Sequence, residues 1–123
     1  MIRVARRCLP LAVLLAALAV PSGAGAASGP TAEASRTCGV GDSQSYGTTY
    51  VLGIRARNVS CRRARRLVRE FHDCRPGKTG RCPRVSGYRC REDRFRKIPT
   101  QYSSRVTCRR GGKVVKHTYQ QWL

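Results

Sequence analysis

Six cysteines have a spacing that favours disulfide bonds over metal or redox chemistry. The chain of 123 residues contains seven cysteines, of which Cys8 lies in an apolar leader. The other six are Cys38, Cys61, Cys74, Cys82, Cys90 and Cys108. Zinc sites usually take close pairs such as Cys-x-x-Cys, and the sequence has none. An even set in a small exported domain is typical of a disulfide framework, so we expect three disulfides, no metal, no cofactor and no nucleophilic cysteine.

Glu70, His72 and His117 are the groups that general acid–base catalysis could use. Together with a basic groove, two such groups would suffice for a secreted ribonuclease. Glu70 and His72 are two residues apart, however, and therefore do not face each other on a helix. We expect His72 to be a solvated helix residue and His117 a surface residue of the last strand. The sequence also lacks the Gly-x-Ser-x-Gly, P-loop and His-Glu-x-x-His motifs, so we predict no catalytic residue and no enzymatic activity.

Five arginines cover the polar side of the clearest predicted helix and form our candidate binding site. They are Arg62, Arg63, Arg65, Arg66 and Arg69. Cations at a helix N-terminus oppose the helix macrodipole, so helix stability does not explain them. They could clamp the phosphates of nucleic acid, wall polymer or anionic lipid, or form an ordinary solvated face. The tyrosines are scattered rather than grouped beside these arginines, which argues against sequence-specific recognition of nucleic acid.

Residues 74–82 form a predicted turn with a cysteine at each end. Pro76 and Gly77 stop the preceding helix, and we expect a Cys74–Cys82 disulfide to close the turn. The remaining four mature cysteines can pair in three ways, and the pattern does not choose among them. A stapled loop over residues 75–81 would suit an inhibitor or protein-interaction module, because its rigidity lowers the entropy lost on binding.

The first 26 residues are typical of a secretory signal peptide. Arg3, Arg6 and Arg7 precede an apolar run that ends at Val20, and Ala24-Gly25-Ala26 provides a cleavage signal. The run is about half of the ~20 residues that a membrane span requires. We therefore expect a soluble, exported protein with no transmembrane anchor after cleavage.

The charge of the chain is strongly positive. Its 25 Lys and Arg residues exceed its six Asp and Glu, for a formal net charge of +19 at pH 7. Cleavage after residue 26 would leave 22 cations and all six acids, about +16. Such a field attracts anionic polymers, anionic lipid surfaces and acidic proteins. Arginine accounts for 21 of the cations, a bias that a GC-rich genome also produces, so codon drift is an alternative explanation of the charge.

Hydrophobic periodicity predicts a strand, a helix and three further strands. Residues 27–45 are predicted to be a flexible lead-in and residues 46–123 a single small domain. The first strand has one buried face, with alternating residues Tyr50, Leu52, Ile54 and Ala56. Ser60 caps the helix, and strands follow over residues 85–91, 104–110 and 113–122, the last two joined by Gly111-Gly112. This order predicts an α+β fold in which one helix packs on a small antiparallel sheet of about four strands, stapled by disulfides.

Three segments resemble small exported domains of actinobacteria. They are NVSCRRARRLVREFHDC at residues 58–74, VSGYRCR at residues 85–91 and VTCRRGGKVVKHTY at residues 106–119. That family is functionally uncharacterised, so the resemblance implies export and a compact α+β fold but transfers no catalytic residue. The segment from Cys74 to Cys82 looks like an addition to the common pattern, which is a second reason to pair these two cysteines.

The sequence thus predicts a monomeric, non-enzymatic domain that is secreted or associated with the cell envelope. Its expected partners are an anionic polymer, an anionic lipid surface or an acidic protein. The alternative is an inhibitor or interaction module that presents the Cys74–Cys82 loop. A secreted ribonuclease is the weaker alternative.

Overall fold

One antiparallel sheet carries a single helix on one of its faces. The computed structural model describes residues 34–123, and the predicted signal peptide of residues 1–26 lies outside the described residues. The strands are β1 Arg36–Cys38, β2 Ser45–Tyr46, β3 Thr49–Arg57, β4 Arg84–Val85, β5 Tyr88–Ile98, β6 Gln101–Arg110 and β7 Lys113–Trp122. The helix is α1 Cys61–Cys74, and a 3-10 turn covers Gly41–Ser43.

The sheet runs in the order β1-β3-β7-β6-β5-β4, and β2 pairs with β3. The α+β class and the disulfide staples are therefore confirmed. The predicted strand number is wrong, because the sheet has seven strands rather than about four. Three predicted strands correspond to β3, β6 and β7, whereas the strand predicted over residues 85–91 covers the end of β4, a turn and only the first four residues of β5. The strands β1, β2 and β4 have only two or three residues each. Strands this short contain no recognisable hydrophobic period.

The described part of the predicted lead-in, residues 34–45, is tied to the rest of the sheet. Within it, β1 pairs with β3, and Cys38 is bonded to Cys61 at the start of α1. Prediction of a flexible lead-in is therefore wrong for this part, because a covalent bond and a strand ladder hold it.

A β-bulge in β3 reverses part of the predicted alternation. The register against β7 shifts by one residue between Val51 and Gly53, which leaves Leu52 without an opposite residue. Val51 and Ile54 are fully buried, whereas Leu52 is 53% exposed. Tyr50 and Leu52 were predicted to share a buried face with Ile54, and this prediction is wrong because the extra residue turns the earlier part of the strand over.

Helix α1 begins and ends where the sequence predicts. Ser60 has extended backbone angles, and its hydroxyl accepts a hydrogen bond from the Arg63 N–H at 3.3 Å. The helix ends at Cys74, and Arg75 returns to extended backbone before Pro76. The residues that α1 buries against the sheet are Ala64, Leu67, Val68 and Phe71. Their spacing places all four on one side of the helix.

Three disulfides join the elements around this core. The predicted Cys74–Cys82 bond is confirmed, and the other four cysteines form Cys38–Cys61 and Cys90–Cys108. Cys90 and Cys108 lie directly opposite each other on β5 and β6. No helix within residues 34–123 has the length and apolar character that crossing a bilayer requires.

Candidate anion-binding surface

The five candidate arginines divide into three groups. Arg65 donates to the Gly39 carbonyl at 3.3 Å, and Arg69 lies 3.9 Å from the fully solvated Asp42 carboxylate. Both therefore lean toward the segment that precedes β2. Arg62 extends into solvent, whereas Arg63 and Arg66 line a groove on the opposite flank of α1.

The groove between α1 and the β6–β7 hairpin brings four cations together. Arg63 and Arg66 form its helix side, and Arg110 and Lys113 form its hairpin side, at the two ends of the Gly111-Gly112 turn. Its volume is about 220 Å³. Arg110 and Lys113 were not predicted as site residues, because they are distant from α1 along the chain and adjoin it only in the folded structure. We call these four residues and the space between them the basic groove.

Two polar contacts hold the hairpin beside the helix. The Asn58 side chain donates to the Gly112 carbonyl at 2.9 Å, and Asn58 itself adopts a positive φ of 56°. Asparagine tolerates this left-handed conformation better than most residues. On the other side, the Arg110 guanidinium approaches the Ser86 carbonyl at 3.5 Å. The groove is thus formed by turns that are fastened to each other.

The basic groove has an excess of positive charge that the described residues do not neutralise. Glu70 is the acid that lines it, and this carboxylate accepts a hydrogen bond from the Ser86 hydroxyl. Ion pairs within residues 34–123 are those of Arg69, Arg81 and Arg94. None of the four groove cations takes part in them. The groove can therefore accept an anionic group of a ligand through two or more converging cations.

A second basic surface lies on the sheet face opposite α1, which we call the open face. The alternation of β3, β7, β6 and β5 directs seven cations to it: Arg55, Arg57, Arg89, Arg91, Arg105, Arg109 and Lys116. Asp93 is the acid on this face, opposite Arg105. Like charges stand directly opposite each other at Arg55 and Lys116, and at Arg89 and Arg109. Such pairs destabilise a sheet, so strand stability does not account for them.

His72 and His117 meet in the interior rather than lying on the surface. Their ring centroids are 5.2 Å apart, and His117 is 2% exposed. The prediction of a surface position is therefore wrong for His117, whereas His72 is half-buried. The α1 periodicity turns His72 toward the sheet beside Phe71, and β7 directs His117 inward between Val115 and Tyr119.

Burial keeps both histidines neutral. Desolvation, aided by the nearby positive charge of Arg75, lowers the pKa of His72 to about 3. Burial lowers the pKa of His117 well below its usual value, and neither of its ring nitrogens has a hydrogen-bond partner in the described part of the chain. Glu70 lies apart from this pair, in the basic groove. The structure therefore brings two histidines together, but His117 is enclosed and the predicted Glu70 does not join them.

Arg75 is buried without a carboxylate partner and fastens the Cys74–Cys82 loop to the sheet. Its guanidinium donates to the carbonyl oxygens of Lys78 and Gly80 at 2.6 and 3.1 Å. It also donates to the Tyr102 hydroxyl at 2.8 Å and to the Gln121 side chain at 3.3 Å. These bonds satisfy a cation that would otherwise be costly to bury.

Of the three cations in the loop that an interaction module would present, Arg75 is buried, whereas Lys78 and Arg81 remain exposed. Arg75 is 8% exposed, and Arg81 donates to the Glu92 backbone at 3.0 Å. A Cβ atom on Gly80 would lie 2.0 Å from the Pro76 carbonyl oxygen, so the close approach of these two residues requires glycine. Lys78 and Thr79 are the exposed polar side chains at the tip of this tightly built loop.

Glu92 anchors the polar end of the core. Burial by itself would raise the pKa of its carboxyl, but hydrogen bonds from Arg94, Tyr119 and Ser104 and the charge of Arg94 lower it. The Arg94 guanidinium lies 2.8 Å from the Glu92 carboxylate. Burial, followed by the bond to Glu92, raises the pKa of Tyr119 far above its usual value. This network is satisfied internally, so it stabilises the fold.

Neither metal ligation nor similarity to a known protein identifies a function. Within residues 34–123 no three His, Cys, Asp or Glu side chains cluster so as to hold a metal ion. No protein-family model, curated protein or solved structure matches this chain. The resemblance to small exported actinobacterial domains remains a prediction. The charged surfaces are therefore the basis for a functional proposal.

Proposed function

We propose that this chain is an exported, strongly cationic, disulfide-stabilised domain that associates without catalysis with anionic partners at or outside the cell envelope. The observation that carries the proposal is the convergence of Arg63, Arg66, Arg110 and Lys113 on one groove, free of ion pairs with the described acids. Three disulfides suit an oxidising compartment.

The physical basis is electrostatic. Bringing cations together costs self-repulsion, which an anionic ligand relieves, and the formal charge of about +16 after cleavage makes this repulsion large. A phosphate-rich polymer also releases its condensed counterions when cations replace them. Binding by this route requires no catalytic group, and it favours partners with closely spaced negative charges.

The first test measures binding of the oxidised protein to single-stranded DNA and to inorganic polyphosphate across a salt series. Arg66→Gln/Lys113→Gln removes one cation from each side of the basic groove, and neither side chain makes a hydrogen bond or ion pair within residues 34–123. Arg84→Gln/Lys97→Gln is the matched control, because it removes the same charge from exposed positions outside the groove. We expect about tenfold weaker DNA binding for the groove variant, with a salt slope lower by about 1.4.

Comparison of the two variants distinguishes binding at the basic groove from a general effect of net charge. A clearly smaller loss in the matched control supports the basic groove. Equal losses would show that the groove has no special role, and absence of binding by the wild-type protein at physiological salt would overturn the proposed function.

A further inference from the structure

The open face has an apolar end as well as a basic one. Within residues 34–123, four of the large hydrophobic residues that remain exposed lie there: Tyr50, Leu52, Ile98 and Trp122. Leu52, Ile98 and Trp122 are each more than half exposed, at 53, 51 and 53%. Single exposed hydrophobic residues are common on proteins, but a group of them beside a charged surface is typical of an interaction site.

Strand register places these residues close together. Trp122 and Ile98 both pair with Gln101, from the two sides of β6. Tyr50 pairs with Gln120, two residues before Trp122 and therefore on the same face. The bulge that turns Leu52 outward adds the fourth side chain. The β-bulge in β3 thus enlarges the apolar end.

Cations begin directly beside the apolar end. Arg105 lies opposite Thr118, two residues beyond Gln120 along the same face, and Lys116 follows two residues later. From Trp122 to Lys116 the distance along β7 is about 20 Å. The open face therefore changes from apolar to strongly basic within the dimensions of one small domain, and α1, the helix of residues 34–123, packs on its other face.

We propose that the open face docks on an anionic lipid membrane, with its apolar end in the headgroup region and its cations against lipid phosphates. Trp and Tyr are favoured at membrane–water interfaces because they combine an apolar ring with a polar group. Peripheral proteins bind most firmly when apolar burial and attraction to anionic lipid act together. The open face supplies both on one surface.

Aliphatic side chains favour a membrane over nucleic acid as the occupant. Single-stranded nucleic acid binds to aromatic side chains by stacking, and Leu52 and Ile98 cannot stack on a base. Both can insert between lipid headgroups. The seven cations of the open face complement lipid phosphates. Among residues 34–123, Asp93 is the one acid on this face that opposes them.

This inference rests on the proposed function for the sign of the partner's charge, but it assigns the contact to a different surface. Trp122 is the one tryptophan in the chain, so its fluorescence reports on the apolar end directly. The full chain is expressed in an exporting host, and the oxidised protein recovered from it is mixed with vesicles. The vesicles contain phosphatidylcholine alone or with phosphatidylglycerol, and brominated lipids test for insertion.

We expect a blue shift and bromine quenching of Trp122 with phosphatidylglycerol vesicles and little change with phosphatidylcholine alone. Arg91→Gln/Arg105→Gln/Lys116→Gln is expected to weaken vesicle binding about a hundredfold, since each cation near an anionic membrane contributes about fivefold. Leu52→Ser/Ile98→Ser is expected to weaken it on the order of tenfold while keeping Trp122 as the probe. All five positions are exposed, so the fold is spared.

Arg36→Gln/Arg62→Gln/Lys78→Gln is the matched control, because it removes equal charge from exposed positions outside both the open face and the basic groove. Membrane docking predicts a much smaller effect of this control on vesicle binding. If the control variant weakens vesicle binding as much as the open-face variant, or if bound Trp122 is not quenched, the docking proposal is wrong while the proposed function stands. Trp122 quenching by single-stranded DNA without vesicle binding would likewise overturn it. Failure to bind vesicles, DNA and polyphosphate would overturn both proposals.

Discussion

At the residue scale, the buried polar side chains of Arg75 and His117 differ in whether their nitrogen atoms form hydrogen bonds. Arg75 has hydrogen bonds along its whole guanidinium, to Lys78, Gly80, Tyr102 and Gln121. His117 is also buried, but neither of its ring nitrogens has a hydrogen-bond partner within residues 34–123. A buried polar atom without a hydrogen bond costs about 1–3 kcal/mol. Arg75 therefore stabilises the loop it fastens, whereas His117 is a weak point of the core.

The histidines make stability sensitive to mild acid. Their lowered pKa values mean that, below pH about 6.5, the unfolded chain binds protons that the folded chain does not. The free energy of unfolding is therefore expected to fall by about 2–3 kcal/mol from about pH 7.5 to about pH 5.5. Urea denaturation at both pH values measures this loss.

His117→Leu tests whether this histidine causes part of the loss of stability in mild acid. We expect it to retain or increase stability at neutral pH, because it removes an unpaired polar ring, and to reduce the acid loss by about half. Glu92 titrates at lower pH, since its pKa is lowered, and its contribution disappears only in stronger acid. An unchanged acid loss in His117→Leu would contradict the role given to this histidine.

At the element scale, the start of α1 is built for something other than helix stability. Ser60 provides a good N-cap, but the first turn contains no acid and begins with Arg62 and Arg63. A helix N-terminus favours negative side chains by about 0.3–1 kcal/mol each. Arg63 also lines the basic groove, so the cation is placed where it weakens the helix and strengthens the groove.

Arg63→Glu should therefore stabilise the protein and weaken its binding. Glu at this position can complete a capping box with Ser60 and matches the helix dipole, so we expect about 0.5–1 kcal/mol of added stability. Polyphosphate binding should fall more than for Arg63→Gln, since the charge is reversed. Thermal unfolding and the binding assay measure the two effects, and a loss of stability together with unchanged binding would contradict this account.

At the scale of the whole molecule, disulfides offset the self-repulsion of a highly cationic chain. The three bonds close segments with sequence separations of 23, 8 and 18. Each bond is expected to contribute about 2–4 kcal/mol, so together they approach the entire stability of a small domain, about 5–15 kcal/mol. The cysteines thus permit a charge that a core of this size would not tolerate alone.

Reduction is expected to unfold the protein at about 37 °C. Circular dichroism with and without a reducing agent measures this directly. Cys74→Ser/Cys82→Ser provides the graded control, because this bond closes the shortest segment and the chain-entropy account gives it the smallest contribution. A reduced protein with the melting temperature of the oxidised form would contradict the proposed balance.

Local pattern was enough to predict the helix and the strands β3, β6 and β7, whereas residues 92–98 of β5 were not predicted as strand. Ser60 and Pro76 mark the limits of α1, and alternation identifies β6 and β7 on either side of Gly111-Gly112. The same alternation failed in β3, because a bulge at Leu52 adds a residue that no periodicity can reveal. Arg63 and Arg66 were found as candidate site residues, but their groove partners on the hairpin were not, since they adjoin α1 only after the chain folds.

The sequence by itself determined the six-cysteine framework, the Cys74–Cys82 bond, the helix limits and the basic character, because these depend on composition and on neighbours along the chain. Tertiary structure alone decided the other two disulfides, the meeting of His72 with His117, the basic groove and the two ends of the open face. Each of these depends on strand register, and a shift of one residue moves a side chain to the opposite face of the sheet. Residue periodicity does not specify that register, because it is set by contacts between distant segments.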